Sequence, residues 1–129
     1  MIQARRVDFI AVPTQDRDRA ERFYGETLGL ERNPNSTDTW VEYEAGNVTL
    51  ALVDPASAGQ PFAPLPFAAI VLRVDNVDDS KAKLQAEGIE FLGATFDSGV
   101  CNGAAFKDPD GNGLMIHHRY APYPDGSSP

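Results

Sequence analysis

One cysteine and two histidines are the only thiol and imidazole groups in this chain of 129 residues. Cys101 has no partner for an internal disulfide, which agrees with a reducing compartment and makes the cytoplasm the default expectation. Long apolar runs are also missing. The most apolar stretch, Phe62 to Leu72, is broken by Pro64 and Pro66 and is about 11 residues long, against the roughly 20 that span a bilayer. The opening MIQARRVDFIAV passes straight into strand-like sequence without the apolar core of a signal peptide, so no membrane partner is expected. Basic residues are scarce: 11 Lys and Arg stand against 19 Asp and Glu, a formal charge of -8. That field repels phosphate backbones and excludes nucleic acid as an expected partner, while it would draw in a cationic ligand. The length suits one domain, 1–129, burying roughly two thirds of its unfolded surface without disulfides or structural metal.

What is present reads as one unit written twice. Arg6 to Pro13 (RVDFIAVP) is rich in β-branched and aromatic residues and predicts a strand. Asp16 is a candidate N-cap for a helix with Ala20, Phe23, Tyr24 and Leu28 at helical spacing, ending at Gly29. Strands are expected near Leu30 to Arg32, Thr39 to Glu44 and Val48 to Val53, the last two joined by a turn at Ala45-Gly46-Asn47. This makes a first β-α-β-β-β module over 6–54. The prolines, Ser57, Gly59 and Gln60 of 55–66 mark a linker.

A second module, 67–118, follows in the same order. Phe67 to Val74 predicts a strand. Asn76 and Asp79 resemble a capping box opening a helix to about Glu87, with Asp78-Asp79 as charge suited to the helix N-terminus. Ile89 to Leu92, Val100 to Lys107 and Leu114 to His118 predict three strands, the last two joined by Asp108-Pro109-Asp110-Gly111-Asn112, where Pro presets φ and Gly supplies a positive one. The two modules repeat at about 60 residues in pattern rather than in letters. The tail 119–129 has little apolar content and is expected to be flexible.

The run Asp8-Phe9-Ile10-Ala11-Val12 with Asp16, the Phe23-Tyr24 pair before Leu28-Gly29-Leu30, and Asp108-Pro109-Asp110-Gly111-Asn112 occur in an order and spacing that resemble the vicinal-oxygen-chelate superfamily of glyoxalases, bleomycin-resistance proteins and extradiol dioxygenases. The resemblance covers about Arg6 to His118. It implies an α+β fold in which two βαβββ modules form curved sheets around a ligand cavity, with helices outside. Many members hold a divalent cation there through His or Glu on the first and last strand of each module. Carried over one by one, those positions fall on Phe9, Ala51, Ala69 and Met115, none of which can ligate Zn²⁺, Fe²⁺ or Mg²⁺. No metal and no cofactor are therefore expected.

Other polar groups keep two readings each. His117 and His118 are adjacent on a strand and point to opposite faces. Because Met115 aligns with a cavity position, His117 is expected on the cavity side, either as a hydrogen-bonded rim residue or as a ligand contact or acid–base group. Cys101, in alternation with Gly103 and Ala105, is a small buried thiol or a reactive one. Arg73 shares a face with Ala69 and Val71, where it would pair with a ligand anion or with an acidic neighbour. Trp40 and Tyr43, set among Glu42 and Glu44, are candidates for an aromatic wall or for core.

The expected ligand-binding set is thus Phe9, Trp40, Tyr43, Ala51, Ala69, Val71, Arg73, Cys101, Met115 and His117. Two function classes follow: metal-independent sequestration of an apolar or aromatic small molecule in the mode of the bleomycin-resistance branch, or a glyoxalase-like lyase, isomerase or dioxygenase-related enzyme using His117, Cys101 or a displaced metal site. A C2 homodimer, common in the family, fits both.

Overall fold

A computed structural model describes residues 1–129, which separate into two compact units, Met1–Pro64 and Leu65–Pro129. In the first unit, β1 (Phe9–Pro13) leads to a helix α1 (Arg17–Glu21), then β2 (Glu31–Arg32), β3 (Val41–Glu44) and β4 (Thr49–Val53), in the sheet order β1-β4-β3-β2. The helix carries the chain from β1 across to β2 at the far edge, β2, β3 and β4 pair antiparallel in turn, and β4 comes to lie parallel beside β1. Asp16 caps α1 by accepting a hydrogen bond from the Arg19 amide at 3.1 Å. The predicted helix is present but not wound as one α-helix. Arg22–Thr27 is a π-helix, with the Leu28 amide reaching back to the Phe23 carbonyl at 2.8 Å. Phe23 and Tyr24, adjacent in sequence, are both buried there and meet edge to face at 5.2 Å.

The core of this unit forms where Val12, Val41, Leu50 and Leu52 line one face of the sheet and Ala20, Phe23 and Tyr24 come from the helix. Each fully buried side chain of this size contributes about 1.5–3 kcal/mol.

The second unit repeats the plan. β5 (Ile70–Arg73), α2 (Val77–Ala86), β6 (Phe96–Asp97), β7 (Cys101–Lys107) and β8 (Gly113–Arg119) give the order β5-β8-β7-β6, again with the outer pair β5 and β8 parallel. Asn76 caps α2 through the Asp79 amide at 2.9 Å. Only Val77 and Leu84 of this helix are buried, in keeping with its sparse apolar stripe. They join Ile70, Ala104, Phe106, Leu114 and Ile116 in the core.

Two sequence expectations change here. Ile89 to Leu92 is not a strand: Phe91 makes a single bridge to Phe106, and Gly93 then turns the chain at φ +79°. The edge strand falls instead on Phe96–Asp97, whose two residues gave no alternating pattern long enough to read. The strand expected from Phe67 begins at Ile70, because Ala68 adopts a left-handed φ of +51°.

The connection before β8 is a hydrogen-bonded knot. Asp108 Oδ1 accepts from the amides of Asp110 and Asn112, both at 2.9 Å, and Oδ2 accepts from Asn112 Nδ2 at 2.8 Å. Asn112 Oδ1 in turn accepts from the Leu65 amide at 2.7 Å, and the Gly113 amide donates to the Leu65 carbonyl at 3.0 Å. Position 113 tolerates no side chain, since a Cβ there would lie 2.1 Å from the Pro66 carbonyl oxygen. Leu65 and Pro66 are thereby stitched to the start of β8.

Candidate functional site

In the second unit, alternation along the strands sends Ile70, Leu72, Leu114, Ile116, Ala104 and Phe106 to the face that carries α2. The alternate residues form an open face that the register arranges in transverse rows. Val71 lies opposite Met115, and Met115 opposite Ala105. In the next row Arg73 lies opposite His117, His117 opposite Gly103, and Gly103 opposite Phe96. Val71 is 51% exposed, Arg73 and Phe96 are exposed, and Met115, His117 and Cys101 are half-buried.

Phe96 lies on Gly103: a Cβ built there would fall 2.7 Å from the ring. Its centroid is 6.3 Å from that of His117. Every charged residue at the strand positions of this face is basic, namely Arg73, Lys107 and Arg119. Arg119 is already engaged, donating to the Ala121 and Pro122 carbonyls at 3.0 and 2.9 Å and stacking 4.5 Å over Tyr123.

His118 points to the other face, its Nδ1 3.0 Å from the Val74 carbonyl oxygen. The alternation expected of the two histidines is present. Cys101 Sγ, at the start of β7, stands 3.2 Å from Ser98 Oγ. Ala69 is exposed and precedes β5 rather than lying within it.

The first unit has a different open face. Phe9 and Trp40 meet edge to face at 5.4 Å, and the Trp40 indole N–H donates to Glu42. Ala51, on the strand between theirs, has no exposed surface. Glu44 accepts from Thr49 Oγ1 and from Asn33 Nδ2, each at 2.9 Å.

Tyr43 does not belong to this face. It is three residues from Trp40, an odd spacing that turns it toward the helix, where it is 4% exposed and its hydroxyl donates to the Glu21 carbonyl at 3.2 Å. Burial raises its pKa, with the Glu21 charge adding to the effect. The aromatic wall read from β3 therefore reduces to Trp40 with Phe9, and Tyr43 is core.

Phe9, Ala51, Ala69 and Met115 bring hydrocarbon and one thioether where an ion would need imidazole or carboxylate, so a resident divalent cation does not fit them. Elsewhere no group of three or more His, Cys, Asp or Glu side chains converges closely enough to hold an ion. The residue that sequence reasoning missed is Phe96. Its signal was indirect: the glycine at 103, in a strand otherwise carrying side chains, marked a place where another group approaches closely.

Residues 6–116 match the glyoxalase/bleomycin resistance protein/dioxygenase superfamily. Among solved structures, TnmS3, an antibiotic-binding protein from Streptomyces sp. CB03234, is similar at 27% identity and a TM-score of 0.74, covering 92% of this chain and 99% of that one. A glyoxalase/bleomycin resistance protein from the same source reaches 29% identity and 0.68 over 85% and 97% of the two chains. Lactoylglutathione lyase from Agrobacterium tumefaciens, at 21% identity and 0.72 over 90% and 95%, shares the fold. No curated protein matches the chain in sequence.

Proposed function

The chain belongs to the glyoxalase/bleomycin resistance protein/dioxygenase superfamily, and from that premise we propose that it is a metal-independent binding protein for an apolar or aromatic small molecule. The observation that carries this reading is the chemistry at the four family ligand positions. Phe9, Ala51, Ala69 and Met115 supply no donor for a hard or borderline cation, and Met115 instead joins an apolar row with Val71 and Ala105. An exposed aromatic ring and aliphatic side chains beside a few convergent polar groups are what a small-molecule site is made of. The antibiotic-binding relative TnmS3, matched over almost its whole length, lends further support. We assign the ligand platform to the open face of the second unit, with Val71, Arg73, Phe96, Cys101, Met115 and His117. Phe9 and Trp40 form a separate apolar patch on the first, on the sheet face to which the buried Ala51 belongs. A cytoplasmic homodimer is the working form of this proposal.

Native mass spectrometry of protein purified without denaturation, paired with calorimetric titration of Zn²⁺, Mn²⁺ and Fe²⁺, tests it. The expected result is an organic mass adduct or bare protein and no stoichiometric ion. Binding of one ion per chain at micromolar or tighter affinity would overturn metal independence.

The enzymatic alternative draws on one observation, the placement of the half-buried His117 beside exposed Arg73 on an open face. A lyase or isomerase using His117 or Cys101 as acid, base or nucleophile would lose turnover in His117→Ala or Cys101→Ala. Undiminished turnover in both variants would remove these residues from the chemistry.

A further inference from the structure

The second unit's open face carries a charge pattern opposite to that of the chain as a whole. The protein bears a formal charge of -8, a balance that taken globally favours cationic ligands. Yet β5, β7 and β8 place only Arg73, Lys107 and Arg119 among the charged residues of this face. Arg119 is held by the tail carbonyls and Tyr123. Arg73 is exposed and makes no ion pair, at the end of a row that runs through His117 and Gly103 to Phe96.

That row is ordered by chemistry. A guanidinium with fork-like donors stands at one edge, an imidazole in the middle and an aromatic ring at the other edge, with the apolar row Val71-Met115-Ala105 alongside. An unpaired guanidinium across the row from an aromatic ring matches a flat molecule carrying a carboxylate, with its anion at Arg73 and its ring plane reaching over Met115 toward Phe96. We propose that the ligand of this face is an aryl or polycyclic carboxylate, that Arg73 selects its charge, and that Gly103 is a positioning residue that seats Phe96. This rests on the binding role proposed above and narrows its ligand class.

Gly103 acts through Phe96. A Cβ at 103 would approach the ring to 2.7 and 2.8 Å and the Ile116 carbonyl oxygen to 3.2 Å, so any side chain there must push the ring off its seat. A flat ligand then loses the edge of its platform.

Anthraquinone-2-carboxylate and its uncharged carboxamide are the probes, measured by calorimetry on the full chain. The carboxylate is expected to bind about threefold to fivefold tighter, the worth of one favourable ion pair at an exposed site. Arg73→Gln is expected to erase that ratio by weakening the carboxylate more than the carboxamide. Gly103→Ala and, independently, Phe96→Leu are expected to weaken both probes by a similar factor. The second variant keeps the ring's role testable should the first fold poorly.

Equal affinity of wild type for the two probes, or a ratio that survives Arg73→Gln, overturns the anion preference but leaves the binding role standing. Carboxylate and carboxamide affinities that stay at wild-type values in Phe96→Leu overturn the platform. Failure of both probes to bind at millimolar concentration overturns this proposal, while the binding role stands or falls separately on the native mass spectrometry described above.

Discussion

The two units share one backbone plan and differ in what they show on the face turned away from the helix. In the first unit the charged positions of that face are all acidic, Glu31, Glu42 and Glu44, and Phe9 and Trp40 close on each other there. In the second they are all basic, and the aromatic ring of Phe96 packs against a glycine, with His117 half-buried and Arg73 exposed in the same row. A repeated fold therefore does not repeat a surface. Net charge averages two faces of opposite sign and predicts neither, so the ligand chemistry has to be read one sheet at a time.

The connections that precede the last strand of each unit differ as much. Asn112 is fully buried and ties Asp108 to Leu65, whereas Asn47, at the corresponding turn of the first unit, is exposed. Asn112→Ala would leave the buried Asp108 Oδ2 without its Nδ2 donor and the Leu65 amide without its acceptor, a loss of about 2–4 kcal/mol. Asn47→Ala should cost under about 0.5 kcal/mol, as surface changes generally do. Urea denaturation of the two variants measures both. Equal losses would mean that the knot stabilises the hairpin no more than an ordinary turn.

A smaller effect tests how alike the units are where they look alike. Asp16 and Asn76 cap the two helices through the amide three residues on, at 3.1 and 2.9 Å. Asp16→Ala and Asn76→Ala should each cost about 1 kcal/mol. A much larger loss from Asp16 would show that the π-helix following α1 depends on its cap in a way that the regular α2 does not.

Much of this was legible in the sequence, for identifiable reasons. Period-two alternation needs no tertiary information, so it placed His117 and His118 on opposite faces and grouped Val71, Arg73, Met115 and His117 correctly on one. Turn chemistry located the Asp108–Asn112 connection, and the caps at Asp16 and Asn76 followed from side chains that accept their own helix amides. Trp40 and Tyr43 are alike as aromatics, yet their odd spacing puts them on opposite faces, and of the two readings open for Tyr43 the structure gives core. What failed needed partners distant in sequence. The edge strand at Phe96 is set by pairing with β7 rather than by its own two residues, and the π-helix arises where two adjacent aromatics are both buried. The buried links of Asn112 to Leu65 were likewise invisible, spanning 47 residues of chain.

The smallest expected effect concerns the anchoring of β6, the strand that carries Phe96. The Tyr120 hydroxyl donates to Asp97 Oδ1 at 2.6 Å, and the Gly99 amide donates to the same oxygen at 2.9 Å. These bonds, Tyr120 first, hold the Asp97 carboxyl below its usual pKa, and the shared bond holds the Tyr120 phenol above its own. A depressed carboxylate contributes stability above its unfolded pKa and loses it as pH falls through the folded value. A raised phenol contributes below its unfolded pKa and loses it as pH rises through the folded one. Both groups are on the surface, so the change in global stability should be near the limit of detection. In Tyr120→Phe the Asp97 carboxyl should therefore titrate at higher pH, nearer an ordinary aspartate, in carboxyl-carbon NMR followed from pH 2 to 6. An unmoved midpoint would mean that Gly99 alone sets the carboxylate and that Tyr120 does not fasten the edge of the second unit's open face.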